Sequence, residues 1–101
     1  MAHELRIYEV RPGWMDEWIK IFESTVIPTH SAQGVKVFAG WRDDAKNQFV
    51  WIREFIDGER EAAFVKALMA QPAMQPVMDP EKIGIKVIDI RRMDSVVPPR
   101  F

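Results

Sequence analysis

VKVFAGWRDDAKNQFVWIREFI, residues 35–56, decides the fold. VKVFAGW (35–41) is rich in β-branched and aromatic residues, RDDAKNQ (42–48) is polar and turn-like, and FVWIREFI (49–56) is a second extended run. Together they predict a hairpin with a longish loop. What flanks the hairpin tells which sheet it belongs to.

Upstream, Met15, Trp18, Ile19, Phe22 and Val26 recur at helical spacing, with Asp16, Lys20 and Glu23 on the other side. This stripe predicts a helix over about 13–31. Pro28 disfavours helical geometry at Ile27, so the helix either kinks there or ends near 27 and restarts briefly. Gly34 reads as its stop. Further upstream, a strand spans about 3–10, with Leu5 and Ile7 alternating with Arg6 and Tyr8, and RPG (11–13) breaks it.

Downstream, Asp57 reads as a helix cap, with Glu59 and Glu61 in the first turn where the dipole favours acids. Phe64, Ala67 and Leu68 form the apolar stripe of that helix and Pro72 ends it. Residues 73–82, carrying Pro76 and Pro80, read as irregular; 84–93 is the last strand; the tail SVVPPRF, with apolar Val96, Val97 and Phe101, reads as extended.

The order β-α-β-β-α-β is the split βαβ, ferredoxin-like arrangement, an α+β fold in which both helices cover one face of a four-stranded antiparallel sheet. The other face is then bare, and a solvated bare face demands apolar–polar alternation. Three of the four strands lack it. Val35, Val37, Ala39 and Trp41 oppose Phe38; Phe49, Trp51 and Phe55 oppose Val50, Ile52 and Ile56; Ile83, Ile85 and Val87 oppose Ile88 and Ile90. So large an apolar surface calls for a partner. The economical one is a second copy, sheet on sheet, giving a homodimer from which higher oligomers can be built. Burying ~1,000 Å² of such surface is worth on the order of 25 kcal/mol before association costs. With Leu5 and Ile7 assigned to the core under the helices, Arg6 and Tyr8 are expected to point between the helix-free faces, where a buried arginine needs Glu54, Asp89 or a bound anion as partner.

The 101 residues form a single domain, 1–101, with net charge −1 and no block of Lys or Arg. Nucleic acid is therefore not an expected partner. The chain has no cysteine, which excludes disulfides, thiolate metal sites and cysteine nucleophiles and suits a reducing, cytoplasmic setting. No signal-peptide core precedes the first strand and no apolar run approaches the ~20 residues of a membrane span. No metal is expected: His3 and His30 are the only histidines and have no ligand spacing. His30, near a helix end, reads as a surface or capping residue. An axial haem ligand would have to be His30.

ELRIYEVRPG at 4–13 resembles the start of the NIPSNAP family, whose members begin with an E-x-R-x-Y strand and a P-G break. The resemblance continues through the helix with its late Pro28, GVKVFAGW, and VWIREFIDGEREAA, covering about 4–70. It implies a dimeric α+β barrel, in agreement with the periodicity. At two positions the chain departs from the family pattern: Arg53 stands where a tryptophan is usual, and Trp51 where a histidine is frequent. The family's biochemical role is mostly unassigned. The wider superfamily includes cofactor-independent monooxygenases, haem-degrading enzymes, lactone isomerases and stress-response proteins, as analogies of fold only.

Two functional readings follow. In the first, the protein binds a hydrophobic metabolite, between sheet and helices or in the barrel, or transforms it there without a cofactor, as a monooxygenase or isomerase does. Arg6 then holds an anionic or enolate oxygen, Tyr8 donates a hydrogen bond, Glu54 or Asp89 shuttles a proton, and Phe38, Trp41, Trp51 and Arg53 contact the ligand. Set against each role is a plainer one: a structural ion pair for the charges, core or dimer packing for the aromatics. In the second reading the protein is a non-catalytic homo-oligomeric assembly and the apolar interior is only its interface.

Overall fold

The protein is described by a computed structural model covering residues 2–55, 58–74, 79 and 81–97. Asp57 as a cap, the side chains of Glu59 and Glu61, Ile56, Pro76, Pro80 and Phe101 lie outside the described residues.

Strand β1 spans Ala2–Val10, β2 Lys36–Asp43, β3 Gln48–Phe55 and β4 Ile85–Asp94. They form one four-stranded sheet in the order β2-β3-β1-β4, with every neighbouring pair antiparallel. The hairpin between β2 and β3 is tighter than the predicted one: both strands pair as far as Asp43 and Gln48. Asn47 takes a left-handed φ of 52° to close the turn, and the Asp43 carboxylate accepts from Lys46 N–H.

The first helical segment is longer and more continuous than Pro28 suggests. Helix α1 spans Met15–Ile21, a π-helical turn Phe22–Val26, and α2 Ile27–Ala32. The chain neither stops nor restarts at Pro28, because the π-helical turn that ends at Val26 accommodates the N–H the proline lacks. The wider π turn just before it leaves carbonyls for side chains. Thr29 Oγ1 donates to Thr25 O at 2.6 Å and the His30 ring bonds Val26 O at 2.7 Å. Gly34, at φ 75°, ends the segment as predicted. Helix α3 spans Gly58–Met69 and a 3-10 turn follows at Pro72–Met74.

The core lies between the helices and one sheet face. Tyr8, Val10, Met15, Trp18, Phe22, Val26, Phe49, Trp51, Ile83 and Ile85 form its main cluster, and Val35, Phe55 and Phe64 a second one under α3. The rings of Trp18, Phe22, Phe49 and Trp51 meet edge-on or tilted with centroids 4.9–5.9 Å apart, which places the aromatic surplus in the core.

The faces of β1 are the reverse of the expectation. Directly opposed residues in antiparallel strands share a face, and Arg6 faces Trp51 while Tyr8 faces Phe49. Phe49, Trp51 and Phe55 go under the helices, so Glu4, Arg6, Tyr8 and Val10 go with them and Leu5 and Ile7 take the bare side. Period-two alternation couples every residue of a strand to this choice. The larger aromatic set of β3 decides it for both strands.

The bare face carries Leu5 opposite Ile52 and Ile7 opposite Val50 at its centre. Ala39, on β2, faces Ile52 across the pair, and Trp41, half-exposed, faces Val50. The predicted two-sided apolar sheet is thus present. On β4, Ile88 is exposed in the bulge beside Ile7/Tyr8, and Ile90, also exposed, stands opposite Arg6 on the helix side. No described helix is long and apolar enough to cross a membrane.

Candidate functional site

A cavity of about 130 Å³ lies between the sheet and the helices. Arg6 and Tyr8 of β1 and Trp51 and Arg53 of β3 form its floor, Trp18 and His30 its helical wall, and Leu68 and Met74 approach from the second half of the chain. Arg6, Tyr8, Trp51 and Arg53, four of the residues singled out in the sequence, are therefore brought together, in the chain's own interior and not between two sheets.

Strand periodicity builds the charged part. Glu4, Arg6 and Tyr8 follow one another at intervals of two on β1, and Glu4 opposes Arg53 across the ladder. One carboxylate oxygen, Glu4 Oε1, accepts from Arg6 Nη1 at 2.6 Å and from Arg53 Nη2 at 2.9 Å. The partner of Arg6 is thus Glu4, on its own strand, and neither Glu54 nor Asp89. Arg6 Nε donates to the Tyr8 oxygen at 2.8 Å. The Tyr8 hydroxyl hydrogen is left to point at another acceptor. Arg53 also packs among rings, its guanidinium carbon 5.1 Å from the centroid of Phe55, 5.5 Å from Phe64 and 5.7 Å from Trp51.

His30 is not a surface residue; it is among the most buried side chains, 1 % exposed. Burial, with help from the nearby Arg53 charge, lowers its pKa to about 4. The ring is neutral at pH 7, and geometry sets its tautomer: Nδ1–H donates to Val26 O at 2.7 Å, which leaves Nε2 to accept from Arg53 Nη1 at 3.1 Å. With both nitrogens engaged, His30 positions Arg53 and has no lone pair free for a metal or haem iron. Burial lowers the pKa of Arg53, against the pull of Glu4. For Arg6, burial works downward too, but Tyr8 and Glu4 outweigh it and the net shift is upward.

The remaining sequence candidates lie elsewhere. Glu54 sits on the bare face, 3.0 Å from His3 Nε2. Asp89 is also on the bare face, paired with Arg91 at 2.6 Å. Trp41 and Phe38 lie on that side as well; Phe38 meets the His3 ring edge-on and helps line a shallow apolar hollow of about 290 Å³ with Ile52 and Met93. A third hollow, about 330 Å³, opens between α3 and the end of α2 beside Gln33 and Phe64. It is larger than the cavity at Arg6, but the latter is lined by two guanidiniums, the buried Arg53 and the half-buried Arg6. No group of three or more potential metal ligands occurs among the described residues.

Three members of the site escaped the sequence reading. Glu4 shares the parity of Arg6 and Tyr8, and His30 lies four residues beyond Val26 on the apolar stripe, so both left a signal. The third is Trp18, which reads as core and is core, but also lines the cavity.

No family profile and no curated protein matches the chain. Solved structures do match its fold. Atu4242 of Agrobacterium tumefaciens, a NIPSNAP family protein with unknown function, superposes with a TM-score of 0.81 at 22% identity, covering 100% of this chain and 96% of its own. A second NIPSNAP family protein from A. tumefaciens strain C58 gives 0.81 at 18% identity, covering 98% of both chains. An uncharacterized NIPSNAP domain protein from Burkholderia xenovorans gives 0.75 at 20% identity, covering 99% of this chain and 100% of its own. The chain therefore has the fold of the NIPSNAP proteins over its whole length, as the opening ELRIYEVRPG suggested.

Proposed function

We propose that the protein binds a small metabolite in the cavity between sheet and helices and works as a homodimer joined through the bare sheet face. The observation that carries the binding reading is the pair of guanidiniums, Arg6 and Arg53, held at the wall of a 130 Å³ cavity beside aromatic rings. Buried charge held in fixed geometry is a costly way to fill a core and a common way to grip a ligand.

Binding is favoured over proton-transfer catalysis of the cofactor-independent oxygenase or isomerase kind. Glu54 and Asp89 face away from the cavity, His30 has both nitrogens engaged, and Glu4 is held by two guanidiniums. Arg6 and Tyr8 keep the roles of anion holder and hydrogen-bond donor. The dimer reading rests on Leu5, Ile7, Val50 and Ile52 at the centre of a face that no helix covers. The non-catalytic assembly reading draws on the exposed Trp41, which extends the apolar surface beyond that centre, and on the exposed Ile88 and Val96. The cytoplasm is the compartment that suits a chain without cysteine.

A thermal-shift screen of small aromatic and carbonyl compounds tests the binding function on wild type and Arg6→Ala. Compounds that raise the melting temperature of wild type alone, with the oligomeric state of the variant unchanged, support the binding site. A wild type that no compound stabilises supports the assembly reading.

A further inference from the structure

Three of the side chains that line the cavity carry a donor with no acceptor among the described residues. Among the described residues, Nε1 of Trp18, Nε1 of Trp51 and Nε of Arg53 are buried and have no acceptor. Their side chains belong to residues only 1, 3 and 7 % exposed. A buried N–H without a partner is costly and uncommon, and three in residues lining one small cavity call for a common cause.

The charge balance points the same way. Arg6 and Arg53 share a single carboxylate oxygen of Glu4, and His30 contributes no charge near neutrality. Among the described residues the two guanidiniums that line the cavity thus face a single carboxylate, in an environment that screens charge poorly. Water could accept from the indoles, but it would bring no negative charge to the guanidiniums. Size narrows the choice further: 130 Å³ is close to the ~150 Å³ of a protein cavity that takes up benzene. Tyr8, Trp18 and Trp51 put three aromatic rings in the lining of this cavity, a surface that suits a flat guest.

Resting on the small-molecule reading above, we infer that the ligand is a small planar monoanion, a ring- or alkene-sized carboxylate. Its oxygens face the two guanidiniums and, as the side chains shift to admit it, accept from the unpartnered N–H groups, while its apolar part lies against the aromatic wall.

The test compares 2-furoate with 2-furamide, which have nearly the same shape and differ in charge, by isothermal titration calorimetry on the full chain at pH 7. The expected result is at least about tenfold tighter binding of 2-furoate, the preference that charge-assisted hydrogen bonds give. Trp51→Phe, which keeps a ring and removes one N–H, is expected to weaken 2-furoate several-fold. Arg6→Gln should weaken 2-furoate about tenfold and leave 2-furamide nearly unchanged. Equal affinity for the two compounds overturns the anion inference while the small-molecule site stands. Binding of neither, with unchanged tryptophan fluorescence at millimolar concentration, overturns both.

Discussion

Arg53 donates through Nη1 to Nε2 of His30 across 3.1 Å, so the imidazole at the centre of this protein serves as an acceptor for a buried cation. The bond exists only while His30 is neutral with its proton on Nδ1, where Val26 O receives it. The π turn at Phe22–Val26 and Pro28 set the register that brings this carbonyl under the ring.

Stability should therefore fall in mild acid. In the unfolded chain His30 takes up a proton below about pH 6.5; in the folded protein it does so only below about 4, because burial, and then Arg53, oppose the charge. Between those values the unfolded state binds more protons, so stability is full above about pH 6.5 and is lost as pH falls toward about 4, by about 3 kcal/mol in all. Urea unfolding of wild type and His30→Gln at pH 7 and 4.5 checks this. The midpoint of wild type should drop more than that of the variant; equal drops would refute it.

Glu4 is expected to be the most sensitive charge in the chain. Glu4→Gln takes the counter-charge from the buried Arg53 and the half-buried Arg6 and should cost about 3–5 kcal/mol in chemical denaturation. Replacing Arg53 as well, in Glu4→Gln/Arg53→Met, should recover part of the loss by removing one of the stranded cations. Asp89→Asn, which breaks an exposed pair with Arg91, should cost less than about 1 kcal/mol. Equal costs at Glu4 and Asp89 would mean that the buried network is not what holds the site.

The bare face should control assembly. Ile52→Lys puts a charge at its centre, opposite Leu5, without touching the core under the helices. Light scattering should read a dimer for wild type and a monomer for the variant. A wild type that is monomeric at micromolar concentration removes the dimer.

Gly40 is expected to tolerate no side chain. A Cβ there would lie 2.8 Å from Phe49 Cζ and 3.5 Å from Phe22 Cε1, and the Phe49 ring is hemmed in by Trp18 and Phe22. Gly40→Ala should lower stability by about 1–3 kcal/mol, read as a shift in the denaturation midpoint with an unchanged slope.

Much of the candidate site was legible in ELRIYEVRPG and FVWIREFI. Arg6, Tyr8, Trp51 and Arg53 stand out because strands rarely place such side chains beside apolar ones without reason, and all four line one cavity. The two positions that depart from the NIPSNAP pattern, Trp51 and Arg53, are among them. Glu54 and Asp89 were drawn in by residue type alone. Glu54 stands one residue from Arg53, and a single step in a strand reverses the face. Asp89 is four residues from the cavity-lining Ile85, and the bulge at Ile7/Tyr8 turns it to the bare side.

Hydrophobic period and turn chemistry act within a few residues, and for that reason the β-α-β-β-α-β order, the hairpin, the stop at Gly34 and the two-sided apolar sheet were all readable along the chain. Which side of β1 the helices cover was not. A period of two separates a strand into two faces but is silent about which one a distant element will bury. That depended on the pairing of Arg6 with Trp51 and Tyr8 with Phe49, and on the volume that Trp18 and Phe22 bring down onto them. The same long-range pairing put Glu4 opposite Arg53, and the packing of the helices on the sheet brought His30 to Arg53, so that residues far apart in the chain form one charged site.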